Sequence, residues 1–262
     1  MDLSYILADP SGNTTAFVLS PVPPAQYGPV ARSVMARLDA EQVAFVHDGR
    51  MDMMGGEFCG NASRSFALWQ ALHTGDGRSL TPFSGKRTET VHVSGAPRPL
   101  TVTIRGAGDR LYAAIEMPLP RRVLPLAQSP LGGCTLVEYP GISHILLEDR
   151  DPREEDLFQA RVLLSGLSAE SGCFGLLYVT RNRMRPLVYV RDTGTCVWES
   201  SCASGTCAVA AALALRQDRT LSLELFQPGG SLMAKATVEN QQLSSLTLDG
   251  PVTFPKSGIL SL

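Results

Sequence analysis

The sequence of 262 residues lacks the features that mark several large classes of protein. No apolar run approaches the roughly 18 residues that span a membrane. The net charge is -2 without a basic block, so nucleic acid is not an expected partner. The first residues lack the basic start and apolar run of a signal peptide. We therefore expect a cytoplasmic protein that binds neither membrane nor nucleic acid.

Signals for metals, nucleotides and disulfides are also missing. There is no Cys-x-x-Cys pair and the four histidines are scattered, so a zinc site is not expected. No glycine-rich motif that cradles phosphate is present. A disulfide framework is improbable for six cysteines in a cytoplasmic chain of this length. We expect no cofactor, including PLP and metal.

The chain is long enough for two modest domains, and 44% of its residues are hydrophobic. Short strand patterns alternate with helical ones, and a proline-rich crossover at 118–125 marks a boundary between halves of similar order. We expect an α/β fold with similar domains at 1–120 and 121–262, and leave open a return of the C-terminal strand to the first domain. Helices are predicted at 25–38, 61–73, 151–167 and 205–216.

Two cysteines stand in small-residue turns, each directly before a predicted helix. Cys59 lies in Gly-Gly-Glu-Phe-Cys-Gly-Asn-Ala-Ser-Arg (55–64), and Cys202 lies in Trp-Glu-Ser-Ser-Cys-Ala-Ser-Gly-Thr-Cys (198–207). The positive end of a helix favours thiolate, so we expect each thiol pKa to fall below about 8.5. The same backbone N–H groups can bind a carboxylate.

A pair of such turns facing one α-carbon would place a sulfur on each side of it. One sulfur would be thiolate and the other thiol, so the pair would titrate as a unit. That is the chemistry of a cofactor-independent racemase or epimerase. The other cysteines are predicted to be small buried hydrophobes: Cys134, Cys173, Cys196 and Cys207.

These turns resemble those of the diaminopimelate epimerase superfamily, which includes proline racemases. Residues 59–64 are similar to its Cys-Gly-Asn-Gly-Ala-Arg turn and 202–208 to its Cys-Gly-Thr-Gly-Ala-Cys-Ala turn. Residues 10–13 resemble its N-terminal Gly-Asn turn, and Glu41-Gln42 its Asp-Gln element. The resemblance implies two pseudo-symmetric domains, each a mixed sheet rolled around a central helix, with the active site in the cleft between them.

The resemblance implies that Cys59 and Cys202 are the catalytic pair. Positions matching the family motifs, or lying beside them, are expected to bind substrate: Asn13, Gln42, Gly60, Asn61, Asp192, Glu199, Ala203 and Ser204. Arg64 is interpreted as a structural or surface charge, and His144 as a packed or hydrogen-bonded histidine.

Two departures from the diaminopimelate epimerase pattern concern the substrate. Ile142 stands where that family has an amide, and Arg191-Asp192 reverses its Glu-Arg pair. The cysteine turns look closer to histidine racemases. We therefore expect a PLP-independent amino-acid racemase or epimerase, with histidine as the leading substrate and a homodimer left open. The alternatives are diaminopimelate epimerase, a double-bond isomerase of small acids, and a non-catalytic amino-acid-binding protein.

Overall fold

The computed structural model describes residues 1–167, 172–190 and 194–262. The chain forms two compact units. Unit 1 comprises Met1–Glu116 and Asp249–Leu262, and unit 2 comprises Met117–Leu248. The chain therefore returns to unit 1 at its C-terminal end.

Unit 1 contains nine strands in its first segment, two helices and a short 3₁₀ turn at Pro24–Gln26, counted over the described residues. Its elements in chain order are β1 (Asp2–Asp9), β2 (Thr15–Val18), α1 (Tyr27–Leu38), β3 (Gln42–His47), β4 (Arg50–Met53), α2 (Gly60–Leu72), β5 (His73–Thr74), β6 (Ser79–Leu80), β7 (Gly85–Val93), β8 (Leu100–Ala107) and β9 (Arg110–Glu116).

Unit 2 follows, and its last strand continues into unit 1. Its elements are β10 (Arg122–Leu126), β11 (Cys134–Tyr139), β12 (Ile142–Glu148), α3 (Asp156–Gly166), β13 (Cys173–Thr180), β14 (Arg183–Val190), β15 (Thr195–Trp198), α4 (Ala203–Arg216), β16 (Leu221–Gln227), β17 (Gly230–Glu239) and β18 (Gln242–Ser261).

The strands of the two units pair in the same order. In unit 1, β1 and β2 are antiparallel, β2 and β3 are parallel across α1, β3 and β4 are antiparallel, and β4 and β7 are parallel across α2. In unit 2, β11, β12, β13, β14 and β16 repeat this sequence of pairings across α3 and α4. Apart from the additional strands β5, β6, β10 and β15, each unit thus has the order ββαββαβββ, which confirms the predicted α/β fold with two similar halves.

A further strand extends the sheet of each unit beside the first strand of the repeat. In unit 1 this is the end of β18, which pairs antiparallel with β1 from Asp2↔Ser261 to Asp9↔Thr253. In unit 2 it is β10, which pairs antiparallel with β11. The chain therefore needs its C-terminal residues to complete the sheet of its N-terminal unit.

The second helix of each repeat is the buried one. Helix α2 packs against β1, β7, β8 and β9, and α4 packs against β11, β12, β16 and β17. Strands from both ends of the repeat contact the same helix, so each sheet curves around it. Apart from Ser204, Thr206 and Arg216, helix α4 is apolar and rich in alanine, which is the composition of an enclosed helix. Helices α1 and α3 lie in separate apolar clusters on their own units.

Five strands were not predicted from the sequence: β4, β5, β6, β10 and β15. Strand β10 runs into the proline-rich crossover, where Pro125 pairs with Thr135. Proline is tolerated there because β10 ends the strand order of its sheet, and an edge strand can spare a backbone donor. Helix α3 begins at Asp156 rather than at 151, and the Asp156 carboxylate accepts the Arg153 N–H at 3.0 Å. Within the described ranges, no helix combines the length and apolar character needed to cross a membrane.

Replacing Phe66 by alanine should destabilise the protein by about 3–5 kcal/mol, because it empties a filled site beneath the sheet. The Phe66 ring is 0% exposed on α2 and meets Phe17 edge-on at 6.2 Å. Phe158→Ala is the matched control, since that ring is 70% exposed on α3 and its loss should change stability by less than about 0.5 kcal/mol. Urea denaturation measures both; equal effects would contradict the assigned core.

Candidate active site

Each of the two turn cysteines is the N-cap of the buried helix of its unit. The backbone angles are φ -125° and ψ 112° at Cys59, and φ -119° and ψ 111° at Cys202. In this extended conformation an N-cap side chain can accept a free N–H of the first helical turn. The sulfurs do so: Ala62 N donates to Cys59 Sγ at 3.5 Å, and Gly205 N donates to Cys202 Sγ at 3.3 Å.

The residue four positions after each cysteine locks the turn in the same way. Ser63 donates its backbone N–H and its hydroxyl to the Cys59 carbonyl, at 2.9 and 2.7 Å. Thr206 donates the same two groups to the Cys202 carbonyl, at 3.0 and 2.7 Å. Two segments of different sequence therefore build the same local structure, with a thiol at the positive end of a helix.

The turn before Cys59 rests on a Ser-Gly pair that sequence reasoning missed. Ser94 Oγ accepts the Met53 N–H at 2.8 Å and donates to the Glu57 carbonyl at 2.8 Å. Gly95 has φ +69°, and a Cβ there would lie 2.1 Å from Phe58 N. Only glycine fits a left-handed position against another backbone. The pair follows β7, and nothing in the sequence connects it to the cysteine turn.

Three predicted binding residues do lie beside Cys59. Gln42 Nε2 donates to Cys59 Sγ at 3.4 Å and to Asn13 Oδ1 at 2.8 Å. Asn61 Nδ2 donates to the same Asn13 oxygen at 3.2 Å. Asn13 Nδ2 in turn donates to Glu41 Oε2 at 2.7 Å. Unit 1 thus groups a thiol with three side-chain amides, and the predicted Gly60 is the first residue of α2.

Of the two interpretations of Arg64, the surface charge is wrong. Its side chain is 0% exposed, because α2 is enclosed on all sides at that point. Nη1 donates to the Gly250 and Pro251 carbonyls of β18 at 2.8 and 3.0 Å, and Nε donates to Asn61 Oδ1 at 3.2 Å. Burial lowers the pKa of the guanidinium to about 10. Arg64 therefore fastens the Cys59 helix to the C-terminal strand and remains charged at neutral pH.

Cys202 has a different set of neighbours. Its backbone N–H donates to Gln227 Oε1 at 2.8 Å, and Gln227 Nε2 donates to Thr206 Oγ1 at 3.0 Å. Ser204 Oγ lies 3.6 Å from the sulfur. Gln227, a buried polar residue at the end of β16, was not expected to support the turn. The predicted Ala203 is the first residue of α4.

His144 supports Ser204 from strand β12. Its Nε2 lies 2.8 Å from Ser204 Oγ, and its ring is 0% exposed. Burial lowers the pKa of His144 to about 3, so the imidazole is neutral at physiological pH. Gly175 is its register partner on β13, and a Cβ there would lie 2.5 Å from His144 Nδ1. His144 is therefore packed and hydrogen-bonded, with its space provided by a glycine.

The prediction of a lowered thiol pKa is wrong for Cys202. Burial of the thiol, which is 5% exposed, raises its pKa well above the ordinary value. The Glu199 carboxylate raises it further, both by its charge and by accepting a hydrogen bond from the thiol. The Gly205 N–H and the Ser204 hydroxyl lower the pKa but do not outweigh these effects. Desolvation thus dominates over the helix terminus, and Cys202 is protonated at neutral pH.

The remaining cysteines are all free thiols. Cys207 is fully buried, while Cys134 and Cys173 are half-buried. Burial raises the pKa of Cys173 to about 12. The prediction that Cys196 is buried is wrong, because it lies on β15, a strand that was not predicted and that pairs beside β14.

Asp192, expected to bind substrate, lies outside the described residues together with Arg191. Among the residues that the structure does describe, no group of three histidine, cysteine or acidic side chains is placed to hold a metal ion.

The fold is similar to those of solved structures described as racemases and epimerases. A structure described as a predicted epimerase from Pseudomonas aeruginosa superposes with a TM-score of 0.67 at 16% identity, covering 98% of this chain and 99% of that one. A probable proline racemase from Agrobacterium radiobacter K84 gives a TM-score of 0.60 at 10% identity, covering 99% and 92%. At these identities the likeness establishes the fold alone.

Sequence similarity establishes the family. The family model described as the histidine racemase CntK N-terminal domain matches residues 2–260. A histidine racemase of Fusobacterium nucleatum subsp. nucleatum is 31% identical over 268 aligned positions, which cover 98% of this chain and 95% of the relative. The chain belongs to this histidine racemase family, a family of isomerases. The resemblance inferred from the cysteine turns is thereby confirmed.

Replacing Gly205 by alanine should destabilise the protein by about 1–3 kcal/mol through overpacking. A Cβ at this position would lie 2.9 Å from Leu177 Cδ2 and 3.1 Å from Cys202 Sγ. Gly166→Ala, at the end of α3, is the control because a Cβ there meets nothing within 4 Å. Thermal unfolding of both variants is the measurement. Equal stability would show that the α4 turn has room that the structure does not give it.

Proposed function

We propose that this protein interconverts L- and D-histidine by removing and replacing the α-hydrogen, with Cys59 and Cys202 as the acid–base pair and without PLP or metal. The observation that carries the proposal is the matched N-cap geometry of the two cysteines. A structural cysteine needs no such turn, and the same uncommon arrangement occurs once in each repeat. Membership of a racemase family supports the reaction type.

The proposed reaction begins with the α-carboxylate of the substrate bound by the N–H groups at a helix terminus. A thiolate takes the α-hydrogen as a proton, and the electron pair is delocalised toward the carboxylate. Hydrogen-bond donors around the carboxylate stabilise this charge as it develops. The other thiol then gives its proton to the opposite face of the carbon, so the enantiomer forms and the two sulfurs exchange protonation states.

Residues next to each cysteine are the proposed substrate contacts. On the Cys59 side these are Gly60 and the amides of Asn13, Gln42 and Asn61, which can bind the carboxylate or the amine. On the Cys202 side they are Glu199, Ala203 and Ser204. The Glu199 carboxylate suits the ammonium group of an amino acid, because an acceptor-only group pairs well with a donor-only one.

Histidine as the substrate is supported by the names of the curated relatives and by the chemistry of the sequence. Ile142 offers no hydrogen bond at the position where diaminopimelate epimerases carry an amide. Burying the second charged head of diaminopimelate without a partner would cost several kcal/mol by order of magnitude. An imidazole needs only one or two partners, and the predicted Asp192 could accept its N–H.

Two reduced thiols require a reducing compartment, which supports a cytoplasmic location. That location and the homodimer stay predictions.

Cys59→Ala and Cys202→Ala should each abolish racemisation while the protein stays folded, because each sulfur makes or receives one of the two proton transfers. The serine variants should lose orders of magnitude, since a hydroxyl gives up its proton far less readily than a thiol. Incorporation of solvent deuterium at the α-carbon of histidine measures this. Cys134→Ala, Cys173→Ala and Cys196→Ala are the controls and should keep substantial activity. Full activity in either Cys59→Ala or Cys202→Ala would exclude the two-base mechanism.

L-histidine should be turned over with a higher kcat/KM than other L-amino acids and than LL-diaminopimelate. The assay is run on one preparation, without added PLP and in the presence of a metal chelator. The reason is the missing partner for a second charged head at Ile142. If diaminopimelate were preferred by about tenfold or more, which is about 1.4 kcal/mol of transition-state binding, the parent epimerase activity would be the function instead.

A further inference from the structure

Arg64 is a buried cation whose hydrogen bonds do not neutralise it. Its Nε and Nη1 donate to one amide oxygen and two backbone carbonyls. Its Nη2 is buried and has no hydrogen-bond partner in the described part of the chain. None of these bonds goes to a carboxylate. A buried charge is strongly unfavourable unless negative groups lie near it, and the groups whose charge favours the Arg64 cation are Asp249, Cys59 and Asp9.

The carboxylates around Arg64 and Cys59 also have hydrogen-bond donors of their own. Asp249 on β18 is held by both Nη atoms of Arg105, at 2.8 and 3.0 Å. Asp9 at the end of β1 accepts the Gly12 N–H, and Glu41 before β3 accepts from Asn13. Asp249 and Asp9 act on the Arg64 charge only through space, and Cys59 acts on it in the same way. Cys59 is the thiol of this set, and its ionised form would supply a further compensating negative charge.

A chain of amides connects the cation to the sulfur. Because the Glu41 carboxylate can only accept, Asn13 must turn its Nδ2 toward it and its Oδ1 toward Asn61 and Gln42. Arg64 Nε holds Asn61 by its oxygen, so Asn61 presents Nδ2 to Asn13. Gln42 must then present its Nε2 to Asn13, and the same atom also lies within hydrogen-bond distance of Thr15 Oγ1 at 3.0 Å and of Cys59 Sγ at 3.4 Å.

Among the described residues, Gln42 and the backbone of Ala62 direct N–H donors at Cys59 Sγ. Donors directed at a sulfur stabilise its charged form. Cys202 is the opposite case: it is buried, and the Glu199 carboxylate acts on it as a negative charge and as an acceptor for its thiol proton. The two turns have the same backbone conformation, but the charged groups around their sulfurs differ.

We propose that Arg64 is a positioning residue that holds Cys59 as the resting thiolate, while Cys202 is the resting thiol. The proposal rests on the proposed two-cysteine function and specifies its starting state. From rest, the substrate α-C–H bond breaks, its proton goes to Cys59 and its electron pair stays on the α-carbon and carboxylate. The Cys202 S–H bond then breaks and its proton goes to the opposite face. Cys59 ends as thiol and Cys202 as thiolate, and exchange with solvent restores the resting state.

The test is the pH dependence of iodoacetamide alkylation at each cysteine, resolved by peptide mass spectrometry, on the full chain without substrate. Only the thiolate reacts, so the midpoint in pH reports ionisation separately from access. In the wild type the Cys59 midpoint should lie below that of Cys202. Arg64→Met should raise the Cys59 midpoint by about one pH unit, a tenfold lower rate at pH 7. Arg64→Lys, which keeps a cation, should stay near the wild-type midpoint.

Arg87→Met is the matched control. Like Arg64, Arg87 is an arginine that donates to a backbone carbonyl. It lies on β7 with a half-exposed side chain, and its acceptor is the Ala71 carbonyl at the C-terminal end of α2, the end opposite to Cys59. Its removal should leave the Cys59 midpoint unchanged. A merely structural Arg64 would lower stability without moving the midpoint.

Two results would overturn the proposal: a folded Arg64→Met protein with an unshifted Cys59 midpoint, or a wild-type Cys202 that ionises below Cys59. If Arg64→Met does not fold, the proposal is tested by the two wild-type midpoints and by the Cys59 midpoint of Arg64→Lys. A wild-type Cys59 midpoint at or above that of Cys202, or a large shift in Arg64→Lys, would then overturn it. The readout does not need turnover. A protein that racemises no amino acid but shows the shift refutes the proposed function alone, and an active racemase without the shift refutes this inference alone.

Discussion

A thiol that caps a helix is the interaction on which the rest of this structure depends. The N-cap position directs the sulfur at the first-turn N–H groups, and in both units the capped helix packs against the strands of its sheet. Helices α2 and α4 are both buried, so most of their side chains are small or apolar. The alanine content of α4 and the glycine at position 205 follow from this constraint. The strand order repeats because the same enclosure is built twice.

Enclosing a helix brings its polar residues into the interior, where each needs a partner. Arg64, on the second turn of α2, finds its acceptors on β18, the strand by which the C-terminal end of the chain completes the N-terminal sheet. Gln227 and Thr206 perform the corresponding task for the α4 turn within unit 2. These are different solutions to one geometric problem. The two repeats thus have the same fold but differ in the polar groups that surround the thiol.

That divergence has chemical meaning. A racemase of the proposed kind needs two groups that are alike in type but opposite in protonation. Identical surroundings would give the two sulfurs equal proton affinity, whereas in our proposal a cation on one side and a carboxylate on the other make the two affinities different. Arg64 lies with Cys59, and Glu199 with Cys202. Helix termini alone could not provide this difference, because both cysteines have one, and at Cys202 burial outweighs the terminus.

The sequence by itself determined what depends on neighbours along the chain. The two cysteine turns, the helices after them, the repeated order of strands and the family are local patterns, and they were predicted. Tertiary structure decided what depends on residues far apart in the sequence. These features are the burial of Arg64, the contact of Gln227 with Cys202, the close approach of Gly95 to the Phe58 backbone, and the exposure of Cys196 on β15. The protonation of Cys202 belongs to the same group, because desolvation is set by everything that encloses a thiol. The spacing of residues along the chain is enough to predict the geometry of a helix cap. It does not predict the dielectric environment of the capping thiol, because that depends on residues far away in the sequence.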